Sequence, residues 1–305
     1  MDKAFFLGIT IGMFSRIIMI NIDRRQYPSQ PNVLLTQIVL AFVASSLGAL
    51  LVPALLERSY TSITFLSLAA EQFRQVRDNR RSSLQDREYL QMVKRGDSYI
   101  EAIARTYEVR NYVCIITSLL TVATYFILEI EINVPENISL IIATISGISL
   151  ALILKKILKR ESIGDIADVV EVEIDFVDDF VMKVGNVAGV TNVGLERDRE
   201  IYKTKGIGIE IIPKDKDYSN AGTLYDLGQR QAIAYIIYSR LGLQREVDEP
   251  SFVPLPRRNP QTQSIVMAYV PIEKDAKKVI DAVKSCPILD SAKGKNISIS
   301  KYKIG

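Results

Sequence analysis

The sequence predicts an α-helical transmembrane bundle of about four spans, followed by a soluble α+β domain with a ferredoxin-like fold. Long apolar runs separated by short charged blocks occupy residues 1–160, whereas charged residues are spread evenly over residues 161–305, as on a soluble surface. A length of 305 residues accommodates two domains. We therefore expect a transmembrane domain at 1–160, with a cytoplasmic amphipathic segment at 57–110, and a soluble domain at 161–305.

Four apolar runs are the candidate spans: residues 4–22, 33–56, 112–128 and 138–154. Each falls within the range of roughly 17 to 25 residues that crosses a bilayer as a helix. No small-residue cleavage site follows the first run, so we interpret it as a retained span rather than a signal peptide. The last two runs are separated by only nine residues, 129–137, which predicts a membrane hairpin.

Charges beside these runs predict the orientation. The loop 129–137 has three glutamates and no base, while the fourth run ends in Lys155-Lys156. The positive-inside rule therefore places the loop outside and the soluble domain in the cytoplasm, together with segment 57–110 and its ten Arg and Lys residues. The pair Arg24-Arg25 then falls outside, so either the first run does not cross or the other charges outweigh this pair.

Small residues recur at four-residue spacing along three of the runs. In lipid such stripes let helix backbones approach closely and gain dispersion contacts. We expect packing within one chain, with homo-oligomerisation through the same faces as the alternative. The stripes are Gly8 and Gly12 in the first run, Ala41, Ser45 and Ala49 in the second, and Ala143, Gly147 and Ala151 in the fourth.

Four arginines are predicted to lie at the lipid interface. Arg16 is the only charge well inside a run, and it must pair or extend to the interface because a buried charge is costly in lipid. The apolar helical face 63–73 is continued by Arg74, Arg77 and Arg81. Each cation near an anionic inner leaflet contributes about 1 kcal/mol. A plain solvated face is the alternative for this basic stripe.

An amphipathic helix with Ser98 as its predicted N-cap carries the most recognisable motif. Glu101 and Arg105 have the i,i+4 spacing of a helical ion pair. The motif resembles the signature of the YIEGIA family, with alanine at position 102 where the family motif has glycine. Blocks 25–28, 68–77 and 110–112 resemble other blocks of that family. The candidate functional motif is Tyr99, Ile100, Glu101, Ala102, Ile103, Ala104 and Arg105.

The resemblance implies a membrane protein of endospore-forming bacteria, with a role in sporulation or in the membrane of the dormant spore. It supplies no reaction, so Tyr99, Glu101 and Arg105 are candidates only for function in general. Alanine tolerates positive φ poorly, and Ala102 therefore indicates that the family glycine does not serve a left-handed turn. A close helix contact would explain both residues.

The hydrophobic pattern of the second half predicts a mixture of strands and helices. Strands are predicted at 169–176, 190–196, 207–212, 265–270 and 297–302, and helices at 180–187, 221–241 and 274–286. The order βαββαβαβ predicts a ferredoxin-like sheet with one extra unit. The proline-rich stretch 243–263 is either an extended recognition loop or a passive connection.

Eight acidic residues and no base occupy residues 161–182. They could hold a cation or a basic partner, but EF-hand spacing is absent, and we expect a solvated surface with Asp178 and Asp179 at a helix N-terminus. No metal is expected. Cys114 and Cys286 are expected to be packing residues.

The absence of histidine excludes most hydrolytic mechanisms, including zinc sites of the His-Glu-x-x-His type and Ser–His pairs. No phosphate-binding Gly-Lys-Ser/Thr loop occurs, and no cofactor or nucleic acid is expected. We expect a scaffold or regulator that binds an anionic lipid surface and other spore membrane or cytoplasmic proteins. The alternative is a membrane-embedded protease with a mechanism that uses no histidine.

Overall fold

The computed structural model describes residues 2–26, 31–214, 218–244 and 252–293. Contacts divide the chain into two compact units. The helical unit comprises Met1–Ser83 and Ile103–Lys159, and the sheet unit comprises Leu84–Ala102 and Arg160–Gly305. The segment Leu84–Ala102, which lies within the predicted cytoplasmic segment 57–110, thus belongs to the sheet unit.

The first half of the chain forms five long helices, of which α3 and α4 each have one end in the sheet unit. Four segments are long and apolar enough to span a membrane: Asp2–Ile20, Leu35–Leu56, Asp97–Glu131 and Glu136–Ile157. The predicted number of apolar helices is confirmed. The five helices are α1 (Asp2–Gln26), α2 (Pro31–Leu56), α3 (Tyr60–Gln85), α4 (Asp97–Phe126) and α5 (Glu136–Ile157).

The helical unit packs several small side chains in its interior and leaves many large apolar side chains exposed. Ala4, Ala49 and Ala143 pack in its interior, whereas Leu35 and Ile141 are exposed. A soluble bundle would show the reverse distribution, because the hydrophobic effect buries large apolar side chains. This arrangement matches a bundle solvated by lipid, in which close helix packing replaces the hydrophobic drive.

The described part of the sheet unit contains two antiparallel sheets, with strand orders β1-β5-β7-β6 and β2-β3-β4. Helix α10 packs against α9 and β1. The strands are β1 (Ala167–Val172), β2 (Ile174–Val177), β3 (Val181–Val184), β4 (Val187–Asn192), β5 (Ile207–Pro213), β6 (Arg257–Arg258) and β7 (Ile265–Tyr269). The remaining helices are α6 (Ile163–Ile166), α7 (Glu196–Lys205), α8 (Tyr218–Tyr225), α9 (Leu227–Leu241) and α10 (Ala276–Lys284).

The predicted helix at 180–187 and the predicted single strand at 169–176 are both wrong. The strand breaks at Glu173 into β1 and β2, which belong to different sheets. Asp178 and Asp179 have φ values of 51° and 62° and form the turn of the β2–β3 hairpin rather than a helix N-terminus. Aspartate tolerates this left-handed conformation, which tight hairpin turns often use.

The ferredoxin-like arrangement is not confirmed. Strands β5 and β7 and helix α10 lie where the sequence predicted them, but α7 was missed, and the predicted strand at 297–302 lies outside the described residues. The predicted helix 221–241 is divided into α8 and α9. Asp226 causes this break because its side chain caps α9, accepting a hydrogen bond from the Gln229 N–H at 3.0 Å.

Candidate functional site

Gly96 directly precedes α4 and adopts a backbone conformation that favours glycine. Its φ is +83°, and a β-carbon there would crowd the side chain of Gln231. The Gly96 N–H donates a hydrogen bond to Oε1 of Glu88 at 2.8 Å. Helix α4 then begins at Asp97, one residue before the predicted N-cap Ser98.

The first turn of α4 packs on α9 within the sheet unit. The fully buried Tyr99 ring lies 5.7 Å, centroid to centroid, from the ring of Tyr235. Nε of Arg95 donates to the Tyr235 hydroxyl at 2.9 Å, and Ser98 lies directly against Gly228. Gly228 and Tyr235, seven residues apart, share one face of α9. We call this contact the α4–α9 junction.

The other motif residues are mostly buried as well. Burial of Ala102 fits the close helix contact inferred from the sequence. The Glu101–Arg105 ion pair stays a prediction. Tyr99, Ile100, Ala102, Ile103 and Ala104 are buried, Glu101 is half-buried, and Arg105 is exposed.

A chain of polar side chains crosses the interior of the helical unit. Arg16 of α1 is 3% exposed, and its Nη2 donates to Oε1 of Gln37 on α2 at 2.8 Å. Nε2 of Gln37 donates to the hydroxyl of Tyr107 on α4 at 3.0 Å. Arg80 of α3 donates to the same hydroxyl at 3.4 Å, with its guanidinium 5.0 Å from the ring centroid. We call Arg16, Gln37, Tyr107 and Arg80 the polar network.

The polar network places Arg16 inside the bundle, which corresponds to the predicted alternative of a paired charge and not to a position at the lipid interface. The pairing arises because Gln37 supplies a buried acceptor one helix away. A hydrogen bond to a charged group contributes about 1.5–3 kcal/mol. Gln37 could have been noticed as a glutamine in an uncharged apolar run, but nothing local in the sequence pairs it with Arg16 or Tyr107.

The predicted basic stripe on α3 divides into two environments. Arg77 is partly buried, and its Nη1 lies 3.4 Å from Oε2 of Glu108 on α4. Arg74 is exposed and pairs with Glu71 of its own helix at 3.1 Å, and Arg81 is exposed. Arg77 therefore joins two helices, while Arg74 and Arg81 lie on the surface.

Glycines of the small-residue stripes lie at helix–helix contacts of the helical unit. Gly12 abuts Ser45, and Gly147 abuts Thr121. A β-carbon at any stripe glycine would crowd a neighbouring helix. The stripe residues Gly8, Gly12, Ala143, Gly147 and Ala151 are all buried.

Gly48, which lies beside the α2 stripe, comes closest of these glycines to the backbone of another helix. A β-carbon at Gly48 would overlap the carbonyl oxygen of Ile115 on α4, and backbone cannot move aside as a side chain can. Gly48→Ala should cost about 1–3 kcal/mol of stability. The buried thiol of Cys114 provides the measurement, because unfolding of the helical unit exposes it to a maleimide during heating. Gly194→Ala, where the new methyl group meets open space, is the control and should leave the labelling midpoint unchanged.

The described residues contain no group of three or more His, Cys, Asp or Glu side chains that could hold a metal ion. Cys114 and Cys286 are both buried and free. Burial raises the pKa of the Cys286 thiol well above its ordinary range, so this thiol is unreactive in the folded protein.

This architecture defines a class of membrane-associated protein, in which four candidate spans accompany a unit built around two antiparallel sheets. The family model described as "YIEGIA protein" matches residues 4–299. The chain belongs to the YIEGIA family. It is 33% identical over 285 residues to the "Uncharacterized protein YphB" of Bacillus subtilis (strain 168), an alignment that covers 93% of this chain and 91% of that relative. No solved structure matches the chain.

Proposed function

We propose that the protein is a non-enzymatic scaffold or regulator of sporulation or spore germination, which binds partner proteins through its sheet unit. The observation that carries this proposal is an apolar tip at the end of the β2–β3 hairpin. Val177, Phe180 and Leu195 are 40%, 48% and 59% exposed. The Phe180 carbonyl accepts a hydrogen bond from the Val193 N–H at 2.8 Å, which holds the hairpin beside the loop that carries Leu195.

Exposed apolar groups on a water-solvated unit favour a protein-binding role, because contact with a partner removes them from water. The family resemblance supports the link with spores. A ferredoxin-like fold remains the proposed description of the whole second domain.

We further propose that the chain is a multi-pass protein of the cell membrane or spore membrane, with the sheet unit in the cytoplasm. The acidic loop between α4 and α5, and Lys155 and Lys156 in the last turn of α5, support this orientation. Arg74 and Arg81 would then contact anionic lipid at the inner leaflet. Homo-oligomerisation also remains part of this proposal.

The test is a variant that makes the apolar tip acidic. Phe180→Asp combined with Leu195→Asp should abolish crosslinks between the protein and its partners in sporulating cells and reduce the yield of germination-competent spores. The cause is the cost of burying two carboxylates in an apolar contact. Ile272→Asp changes a still more exposed apolar side chain of the same unit and serves as the control.

Two results would overturn the proposal. One is a double variant whose crosslinks and spores equal those of the unmodified protein. The other is cleavage of spore membrane proteins by the purified chain in detergent, lost on a single Ser→Ala or Lys→Ala change, which would assign a protease with a mechanism that uses no histidine.

A further inference from the structure

Three arginines of the sheet unit meet where α8, α9 and β6 come together. Nη1 of Arg230 on α9 donates to the carbonyl of Pro256, which directly precedes β6, at 3.1 Å. Nη2 of Arg258 in β6 donates to the carbonyl of Tyr225 at the end of α8, at 2.8 Å. An arginine of α9 thus bonds to the backbone next to β6, and an arginine of β6 bonds to the backbone at the end of α8. Arg257, the other residue of β6, completes what we call the arginine cluster.

The arginine cluster has no matching negative charge among the described residues. Nε of Arg257 donates to the carbonyl of Val190 at 2.9 Å, so all three arginines bond to backbone carbonyls, and none forms an ion pair with a described carboxylate. Among the described residues, Asp226 is the acid whose charge lies beside Arg230, and its Oδ1 caps α9. Three positive charges are therefore held together against one carboxylate that already has a structural role.

Arg230 is the partly buried member of the arginine cluster. Its Nε is buried and has no hydrogen-bond acceptor within the described part of the chain. Burial, followed by the charges of Arg258 and Arg257, lowers the pKa of Arg230. A bound anion would accept hydrogen bonds from such donors and relieve the repulsion among the cations.

We propose that the arginine cluster is a binding site for the phosphate group of a ligand, an activity separate from the partner binding proposed above. A phosphate group presents several acceptor oxygens and up to two negative charges to the planar forks of Arg230, Arg257 and Arg258. A carboxylate has only one negative charge and two acceptor oxygens. Three guanidinium groups carry more positive charge and more donors than a carboxylate can match. The phosphate can belong to a soluble metabolite or to a phospholipid headgroup.

The experiment uses the full chain purified in an uncharged detergent and follows ³¹P line broadening of two probes. Inorganic pyrophosphate represents a soluble phosphate, and monomeric dihexanoylphosphatidylglycerol represents a headgroup. Arg257→Gln and Arg258→Gln should each weaken binding at least about tenfold, since each removes charge-assisted hydrogen bonds. Lys277→Gln removes an exposed cation of α10 and is the matched control.

Saturable binding of pyrophosphate that both arginine variants weaken supports the site and assigns a soluble ligand. Binding of the lipid probe alone, with the same losses, supports it and assigns a headgroup. Protection of the Cys286 thiol from labelling confirms that each variant is folded. If Arg258→Gln unfolds the protein, the binding measured for Arg257→Gln, which changes an exposed side chain, tests the site. The proposal would be overturned if neither probe binds saturably. It would also be overturned if both arginine variants bind the probes as tightly as Lys277→Gln does.

Discussion

Replacing Tyr99 by alanine is expected to destabilise the sheet unit by about 3–5 kcal/mol, the range for truncating a buried aromatic side chain. The ring is fully buried against Tyr235, so its loss leaves a cavity at the α4–α9 junction. Labelling of the Cys286 thiol during heating measures this effect, because only unfolding of the sheet unit exposes that thiol.

Tyr89→Ala is the matched control for this change. Tyr89 lies in the same segment of the sheet unit and is 78% exposed, so its truncation should leave the labelling midpoint unchanged. Equal midpoints for Tyr99→Ala and Tyr89→Ala would show that the first turn of α4 is not part of the folded sheet unit.

The second large effect is expected at Gln37. Gln37→Leu removes the acceptor of the Arg16 guanidinium and a donor to Tyr107, and should cost about 1.5–3 kcal/mol. The readout is the temperature at which Cys114 becomes accessible to a maleimide. Gln72→Leu makes the same chemical change at an exposed position of α3 and should have no measurable effect.

A double-mutant cycle separates the contact from the general cost of each substitution. Arg16→Met combined with Gln37→Leu should be less destabilising than the sum of the single changes, by about 0.5–3 kcal/mol. Additive effects would mean that Arg16 and Gln37 are not energetically coupled, and the polar network would then lose its first link.

Helix α4 contributes residues to both the α4–α9 junction and the polar network. Its first turn presents Tyr99 to α9, and two turns later Tyr107 joins the interior of the helical unit.

The apolar helices were predictable because length and composition alone decide whether a segment can span a bilayer. The hairpin turn at Asp178 and Asp179 was missed because the short apolar run after it also fits helical spacing, and only pairing with β2 and β4 resolves the ambiguity. The break at Asp226 was missed for a similar reason, since a helix cap looks like any polar residue of a long amphipathic helix.

Candidate sites were harder to predict than elements. Tyr99 was selected through the family resemblance, but its partner Tyr235 lies 136 residues away and could not be found from local pattern. The same is true of Arg16 and Tyr107, which meet only through Gln37. Polar contacts between distant segments follow from the tertiary fold, which a single sequence does not specify at the level of side chains.

Membrane crossing is tested most directly by cysteine accessibility in sealed vesicles of both orientations. Asn137→Cys lies at the start of α5 beside the acidic loop, and Glu200→Cys lies on α7; both positions are exposed, and the two native thiols are buried. We predict that a membrane-impermeant maleimide labels Asn137→Cys only in right-side-out vesicles and Glu200→Cys only in inverted vesicles. Labelling of both cysteines to the same extent in both preparations would contradict a bundle that crosses the bilayer.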